Sequence, residues 1–596
     1  MTRIDRAAGN AVPLPVGDGP NSVQVAGDAV WVSNEYDGTM TWIDMSTNEI
    51  HRLPPIGASP RGMTIDSGGR IWVAAGAFAD PAHRGGTLTV VSNKLPGARG
   101  VDPSVVSDST TIPAERFVYD GLVALGLSGG AASQSLVSDL ALAIPQPSNG
   151  GRTYTFTLRP GIRYSNGQQV HASDFRRGLL KALTMGANRE YFASIVGGRS
   201  CIDHPATCDL SAGLKTDDAQ GRVTFNLVAP DPVFLDKLAR LVYPVAPGGK
   251  GAVSGVPVPG SGPYMISSYV PNKKFVLSRN PYFKQWSFAA QPAGYPDVIS
   301  FRKVAGGKAA ADEVLAGRAD LAWVYPASTA VREDLAMRYP AQFKSQDLAD
   351  TDFEYLNTRM APFNDLRVRQ ALNYAVDRSR LIDILGSEGR FLLTCQVLPP
   401  NFPSHHWYCP YTPGQQDGGY HGPDLARAQE LVGASGTRGM AVTVQGAVGR
   451  DLLNVYFVGV LRQLGYVVTL RELPDSFDFL GSRDKVQITL AEGWIAEYPA
   501  ANQLYDKVFT CKTPMGGVGW YCNRQVEDTV KQARAVKLTD PGQAARLWTQ
   551  VDELITNNAP VVALGNLEAS LFVSPRVHNY ESNPEIGPVL SQIYIK

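Results

Sequence analysis

The chain has 596 residues, and 55 Lys plus Arg against 55 Asp plus Glu leave no formal net charge. That balance removes the electrostatic footprint of a nucleic-acid binder, and a hydrophobic fraction of 44% excludes a disordered chain. No apolar run approaches the ~18–20 residues that cross a bilayer. At roughly 100–200 residues per domain the length predicts several structural units. The start, Met1-Thr-Arg-Ile-Asp-Arg, lacks the apolar stretch of a signal peptide. The chain is therefore either cytoplasmic or a piece of a longer protein whose natural N-terminus lies upstream.

The first pattern along the chain is a repeat. Pro20-Asn-Ser-Val-Gln-Val…Ala29-Val-Trp-Val-Ser returns as Pro60-Arg-Gly-Met-Thr-Ile…Arg70-Ile-Trp-Val-Ala, and Met1-Thr-Arg-Ile-Asp returns as Met40-Thr-Trp-Ile-Asp. Gly86-Thr-Leu-Thr-Val-Val is a partial third copy of Gly38-Thr-Met-Thr-Trp-Ile. A period of roughly 40 residues, with short alternating strands and Gly/Asp turns, is the signature of a propeller blade. Residues 1–94 resemble the NHL and YncE-like propeller repeats. About two blades cannot close a ring that needs at least about four, so the resemblance implies an incomplete propeller. A small β-meander packed on the main domain is the alternative. Core packing is the role expected of Trp31, Trp42 and Trp72.

After the Pro/Gly-rich join Leu95–Pro103 the pattern turns mixed α/β. Helices are predicted over Ala172–Thr184, Ala309–Leu315, Asp365–Leu385, Asp424–Val432, Asp451–Leu464, Gln525–Val536 and Gly542–Asn557. Ser173-Asp174 and Asp365 read as caps, and Asp540 caps a helix with Pro541 at its first position. Strands are predicted at Tyr154–Leu158, Val223–Leu227, Phe275–Arg279, Ala441–Gln445 and Gln487–Leu490. Asn166-Gly167 is a turn signal. Arg367 and Arg369, beside Asp365, read as fold-stabilising ion-pair partners.

The six cysteines fall in three local couples: Cys201 with Cys208, Cys395 with Cys409, and Cys511 with Cys522. Sequence alone does not fix the pairing. Nearest-neighbour bridging is the economical expectation, each bridge stabilising by about 2–3 kcal/mol. A zinc reading would use Cys201, His204 and Cys208, or His405, His406 and Cys409, but neither group has the CxxC spacing of a structural zinc site. Three disulfides imply an oxidising compartment and hence an exported protein.

Five blocks carry a more specific resemblance. They are Phe117-Val-Tyr-Asp-Gly-Leu-Val123; Tyr154-Thr-Phe-Thr-Leu-Arg-Pro-Gly-Ile-Arg-Tyr-Ser-Asn-Gly167 with Val170-His-Ala-Ser-Asp-Phe175; Gly260-Ser-Gly-Pro-Tyr264 leading to Leu277-Ser-Arg-Asn-Pro-Tyr282; Tyr355-Leu-Asn-Thr…Pro362-Phe-Asn-Asp-Leu-Arg-Val-Arg-Gln-Ala-Leu-Asn-Tyr-Ala-Val-Asp-Arg378; and Gly493-Trp-Ile-Ala-Glu-Tyr-Pro499 with Asn558-Ala-Pro-Val-Val-Ala-Leu564. In order and spacing this chain resembles the family 5 extracellular solute-binding proteins of ABC importers, which include oligopeptide-, dipeptide- and nickel-binding proteins.

The resemblance implies a two-lobed α/β fold of the periplasmic-binding-protein type that closes over its ligand. One lobe would take residues 95–265 and 565–596, with an inserted subdomain near 125–235, and the other residues 266–564. Gly260 and Gly262 fall where the family's chain crosses between lobes, which suggests a hinge, although a plain loop has the same composition. The implied ligand-binding set is Tyr119, Gly121, Tyr355, Asn357, Trp494, Glu497 and Tyr498. In peptide-binding members an Asp at the place of Glu497 neutralises the ligand's α-ammonium group; here the side chain is one methylene longer. An ion pair between Glu497 and a neighbouring Arg or Lys is the competing role, and core packing competes for each aromatic residue. The implied partners are a small-molecule or peptide ligand and the permease subunits of an ABC transporter, for a monomeric, extracytoplasmic, membrane-proximal protein.

An enzyme needs a constellation of reactive groups. The sequence has no HExxH, no GxxxxGK[ST] phosphate loop and no GxGxxG opening a helix. The reading is a receptor with no catalytic residue, metal or cofactor. The alternative is a ligand-sensing domain of a larger regulatory or signalling protein.

Overall fold

The computed structural model describes residues 2–4, 11–17, 20–34, 38–54, 56–66, 68–76, 83–96, 101–102, 115–127, 135–186, 189–247, 257–324, 327–386, 390–402, 404–414, 418–448, 450–473, 486–489, 493–496, 498, 500–511, 521–537, 539–583 and 586–596. It divides into two compact units, Met1–Val304 with Glu313–Leu321 and Ser574–Lys596, and Ala305–Asp312 with Ala322–Val573.

In the first unit, Pro20–Ala26, Ala29–Asn34, Thr39–Asp44 and Ile50–Arg52 form a four-stranded antiparallel meander. Alternation puts Val32 and Ile43 on one face with Leu14 and Val16. It puts Trp31, Trp42 and His51 in cross-strand register on the other, where Trp42 and His51 stack at 3.9 Å. Ala58–Ile65 and Ile71–Gly76 make a second antiparallel pair. Small antiparallel sheets are what the described residues contain here. The third repeat copy is not one of them. Thr87–Ser92 runs parallel to Val298–Lys303, in a sheet continued antiparallel by Lys274–Arg279 and Tyr264–Val270. Leu88, Val90 and Val91 are all fully buried. A strand covered on both faces needs a continuous apolar run, not a blade's alternation, and Val90-Val91 supplies it.

Those pairings also hold Lys274–Lys303 in the first unit. The C-terminal segment returns to the same unit through Arg576, whose guanidinium meets Asp320 at 2.6 Å while Asp320 also accepts the Thr89 amide at 2.8 Å. A separate apolar core is built on the sheet Thr153–Thr157, Arg222–Asn226 and Leu214–Asp217, with the helices Ala172–Met185 and Phe234–Leu241 packed against it. The first of these helices starts at Ala172 with His171 at its N-cap, two residues before the expected cap Ser173. Asp174 is instead its third residue, reaching back to the His171 amide at 2.9 Å and accepting the Tyr164 hydroxyl at 2.8 Å.

The second unit is organised by the strand Val561–Val573, which pairs with Phe343–Asp347, Asp350–Leu356 and Arg390–Leu392. Beyond Asp350–Leu356 the sheet continues through Ile488–Thr489 and Ala441–Ala447 to Val467–Leu473. The last two are parallel and joined by the helix Asp451–Gln463, a βαβ unit. Val562 and Leu564 enter one apolar cluster and Val561 another, so both faces of the sheet carry a core.

The helix expected over Asp365–Leu385 is two helices, Leu366–Ala375 and Arg378–Leu385. Asp365 caps the first through the Arg367 amide, and Asp377 caps the second through the amides of Ser379 and Arg380. A side chain that competes for backbone N–H groups in mid-run ends one helix and begins another. Arg367 pairs with Asp365 at 2.6 Å, as expected. Arg369 is buried and donates to the carbonyls of Asn558 and Phe363 at 3.0 and 2.8 Å, so it serves backbone acceptors instead of a carboxylate. All three cysteine couples are bridged as nearest neighbours, and no metal-binding cluster occurs among the described residues.

Candidate functional site

In the first unit the residues singled out around position 120 form a closed polar network. The Tyr119 ring is buried, and its hydroxyl lies 3.0 Å from the Val101 carbonyl and 3.1 Å from that of Val258. Asp120 accepts from Gln291 Nε2 at 2.6 Å and Ser261 Oγ at 2.8 Å. Asp139 accepts from Trp286 Nε1 at 2.8 Å and the Gly121 amide at 3.1 Å. Burial and the neighbouring Asp139 push Asp120 well above the usual carboxylate range, and burial pushes Asp139 up to about 6. Gly121 is required by close approach: a Cβ there would lie 3.0 Å from the Val123 carbonyl oxygen and 3.3 Å from that of Val242. Gly260 and Gly262 have the same cause, since added Cβ atoms would lie 2.0 Å from the Val118 oxygen and 2.6 Å from that of Phe117. Both glycines lie within the first unit.

The second unit places Trp494 and Ile495 on a short strand antiparallel to Asp350-Thr351. The Ala496 amide continues the pairing to the Ala349 carbonyl at 2.7 Å. Trp494 is buried near Phe402, with ring centroids 6.4 Å apart, in a cluster that also takes Phe353, Tyr355 and Phe509. Ile495 points the other way and is 52% exposed. Tyr355 sits edge-on to Phe353 at 5.1 Å, and burial holds its hydroxyl above the ordinary tyrosine range. Asn357 is buried; its Nδ2 donates to the Val486 carbonyl at 3.2 Å and its Oδ1 accepts the Arg359 amide at 3.1 Å. Tyr498 is fully buried and its hydroxyl accepts from Asn502 at 3.4 Å. Glu497 lies outside the described residues. Tyr355 and Trp494 thus meet in one cluster, as core residues with ordered surroundings.

A family model for the bacterial extracellular solute-binding proteins, family 5, matches residues 135–515. The chain belongs to that family. Among curated relatives, the glutathione-binding protein GsiB of Escherichia coli K12 is 22% identical over 488 residues, covering 78% of this chain and 86% of GsiB. Among solved structures, the clavulanic acid biosynthesis oligopeptide binding protein 2 superposes with a TM-score of 0.75 at 22% identity, over 87% of this chain and 97% of that one. The Escherichia coli murein tripeptide binding protein MppA gives 0.66 at 20% identity, over 85% and 98%. The fold is therefore the two-lobed one of family 5, and the protein is a solute receptor whose relatives are binding proteins and not enzymes.

As a family 5 protein, it carries several residues that sequence reasoning passed over. Asp139, Trp286 and Gln291 complete the network at Asp120 from distant parts of the chain, and no local pattern announces them. Asp352, which accepts the Gly493 amide at 2.8 Å, and Arg450, which meets Asp352 at 3.3 Å, are two more. Asp552 is another: fully buried, it accepts Gln396 Nε2 at 2.6 Å and the Leu398 amide at 3.1 Å, and burial pushes it up to about 7. It fastens the loop closed by Cys395–Cys409 onto the helix Pro541–Asn558.

Proposed function

We propose that this receptor captures a small peptide-like ligand through its free amino group outside the cytoplasm and hands it to the permease subunits of an ABC importer. The observation that carries the reading is the Gly493–Pro499 sequence block, an aromatic residue followed three positions later by a carboxylate, whose Trp494-Ile495 forms a strand paired with Asp350-Thr351. Relatives named for glutathione, a murein tripeptide and oligopeptides point to the same ligand class. In this reading Glu497 is the cation anchor, Trp494 and Tyr498 are its aromatic neighbours in the sequence, and Tyr355 and Asn357 complete the set. Tyr119 and Gly121, whose polar groups are committed inside their own unit, contribute packing alone. Gly260 and Gly262 act as close-packing points, whether or not the chain bends near them. The N-terminal strands descend from propeller-like repeats: Pro20–Ala26 with Ala29–Asn34, and Ala58–Ile65 with Ile71–Gly76, are the same hairpin at about the repeat spacing.

The test is calorimetry with trialanine and N-acetyl-trialanine. Glu497→Gln is expected to weaken trialanine by about 1.5–3 kcal/mol, the worth of one charge-assisted hydrogen bond, and to leave the melting temperature of the free protein in place. Unchanged trialanine affinity in that variant, or chemical conversion of the peptide, overturns the reading.

A further inference from the structure

Gly493, the residue just before the Trp494–Ile495 strand, is held by a side chain. Its amide donates to Asp352 Oδ1 at 2.8 Å. The other oxygen of the same carboxylate, Oδ2, meets Arg450 Nη2 at 3.3 Å, and the two side chains are only 10% and 14% exposed. No side chain fits at residue 493, because a Cβ would lie 2.1 Å from the Thr351 carbonyl oxygen and 2.5 Å from Asp352 Oδ1. The carboxylate therefore sits directly on the backbone of this strand.

Arg450 is an independent sign. It occupies the N-cap of the helix Asp451–Gln463, and its side chain makes no capping bond there. A cation is the wrong charge for the positive end of a helix, and Arg is a poor cap. Its place at that position is accounted for by what it does across the sheet, which is to hold Asp352.

We infer that the Arg450–Asp352 pair is the positioning device of the ligand-anchoring strand: Asp352 holds the Gly493 amide, and Arg450 holds Asp352. This rests on the reading of Trp494–Tyr498 as the anchor of an amine-bearing ligand. Paired, the two charges compensate each other, and the strand is placed without net charge beside the anchor.

Two measurements on the full chain test the device. In the ligand-free protein, Asp352→Ala is expected to raise hydrogen exchange at Gly493 about tenfold or more, with Val561–Val573 unchanged. Arg450→Met, a milder change at a helix start, should raise it about threefold. In binding, Asp352→Asn should weaken trialanine about tenfold and N-acetyl-trialanine about threefold or less, because removing one negative charge disfavours only the amine. Adding Arg450→Met to Asp352→Asn should bring trialanine back to within a few-fold of wild type. Unchanged exchange at Gly493 in both single variants overturns the positioning role, as does an equal loss for the two probes. If wild type binds neither probe, the ligand reading fails, and the exchange data still decide the role of Asp352.

Discussion

Around Asp120 every group is turned inward: two carboxylates, a tyrosine hydroxyl and a glycine amide bond to one another's neighbours in a fully buried network. Around Trp494 the packing is one-sided. The indole is in the core, the next side chain is half exposed, and one carboxylate holds the backbone from behind. The same residue types, aromatic, acid and glycine, thus build a stabilising knot in one unit and a braced, partly open strand in the other. A group whose hydrogen-bonding capacity is already used cannot recognise a ligand with it. The proposed function therefore places recognition at the strand with an open side.

The comparison breaks most directly at its glycines. An added Cβ meets backbone oxygen at Gly260 and at Gly493 alike, and backbone does not yield as a flexible side chain does. Gly260→Ala and Gly493→Ala are each expected to lose about 3 kcal/mol in denaturant unfolding. Gly493→Ala should also abolish trialanine binding, whereas folded Gly260→Ala should bind within about threefold of wild type. Loss of binding in both would give the two regions the same role.

A second, somewhat smaller effect is the pH dependence of the knot. Asp139 is raised from the ordinary carboxylate value to about 6, so the folded protein retains a proton that the unfolded chain releases. Its contribution is fully present below about pH 4 and is lost as pH rises through about 6, at about 1.4 kcal/mol for each tenfold difference in proton affinity between the folded and unfolded chain. Melting curves of wild type and Asp139→Asn should therefore differ by an amount that changes between about pH 4 and 6.5. Exposed carboxylates with the opposite slope, such as Glu313 held low by Arg318 and Arg302, are common to both proteins and cancel. Parallel pH profiles would mean that Asp139 binds its proton equally in the folded and unfolded chain.

Tyr119→Phe sharpens the comparison at smaller scale. Removing the hydroxyl strips the Val101 and Val258 carbonyls of their donor, for an expected loss of about 1 kcal/mol and unchanged trialanine affinity. Weakened binding at unchanged stability would restore Tyr119 to the ligand set. Ile495→Thr should be the mildest, within about 0.5 kcal/mol of wild-type stability because the side chain is half exposed. A loss as large as that of a core residue would mean the strand is packed on both sides.

Much of the architecture was readable from local chemistry. The helix Pro541–Asn558 begins at the Asp540-Pro541 signal, and Ala441–Ala447 with Asp451–Gln463 follows the change from period two to period 3.6. Each cysteine couple closes the short loop between its members. These features depend on residues near one another in the chain, where caps, turns and side-chain period act. The extra cap at Asp377 was readable by the same rule and was overridden by the long apolar run around it.

What tertiary structure decided is of another kind. Thr87–Ser92 matches a propeller repeat in its letters, yet its partner is Val298–Lys303, some two hundred residues away, because only a strand buried on both faces can use Leu88, Val90 and Val91 together. Whether Tyr119 offers its hydroxyl, what confines Gly260, and why an arginine stands at the N-cap of the helix Asp451–Gln463 all depend on groups brought in from distant segments: Val258, Val118 and Asp352. By itself the sequence determined most of the elements, the local cysteine couples and the order of motifs that resembles the family, because periodicity, capping and motif order are written locally. The assignment of each polar group to the core or to a ligand came only with the fold, because a hydrogen bond is satisfied by whichever partner the packed chain places within about 3 Å.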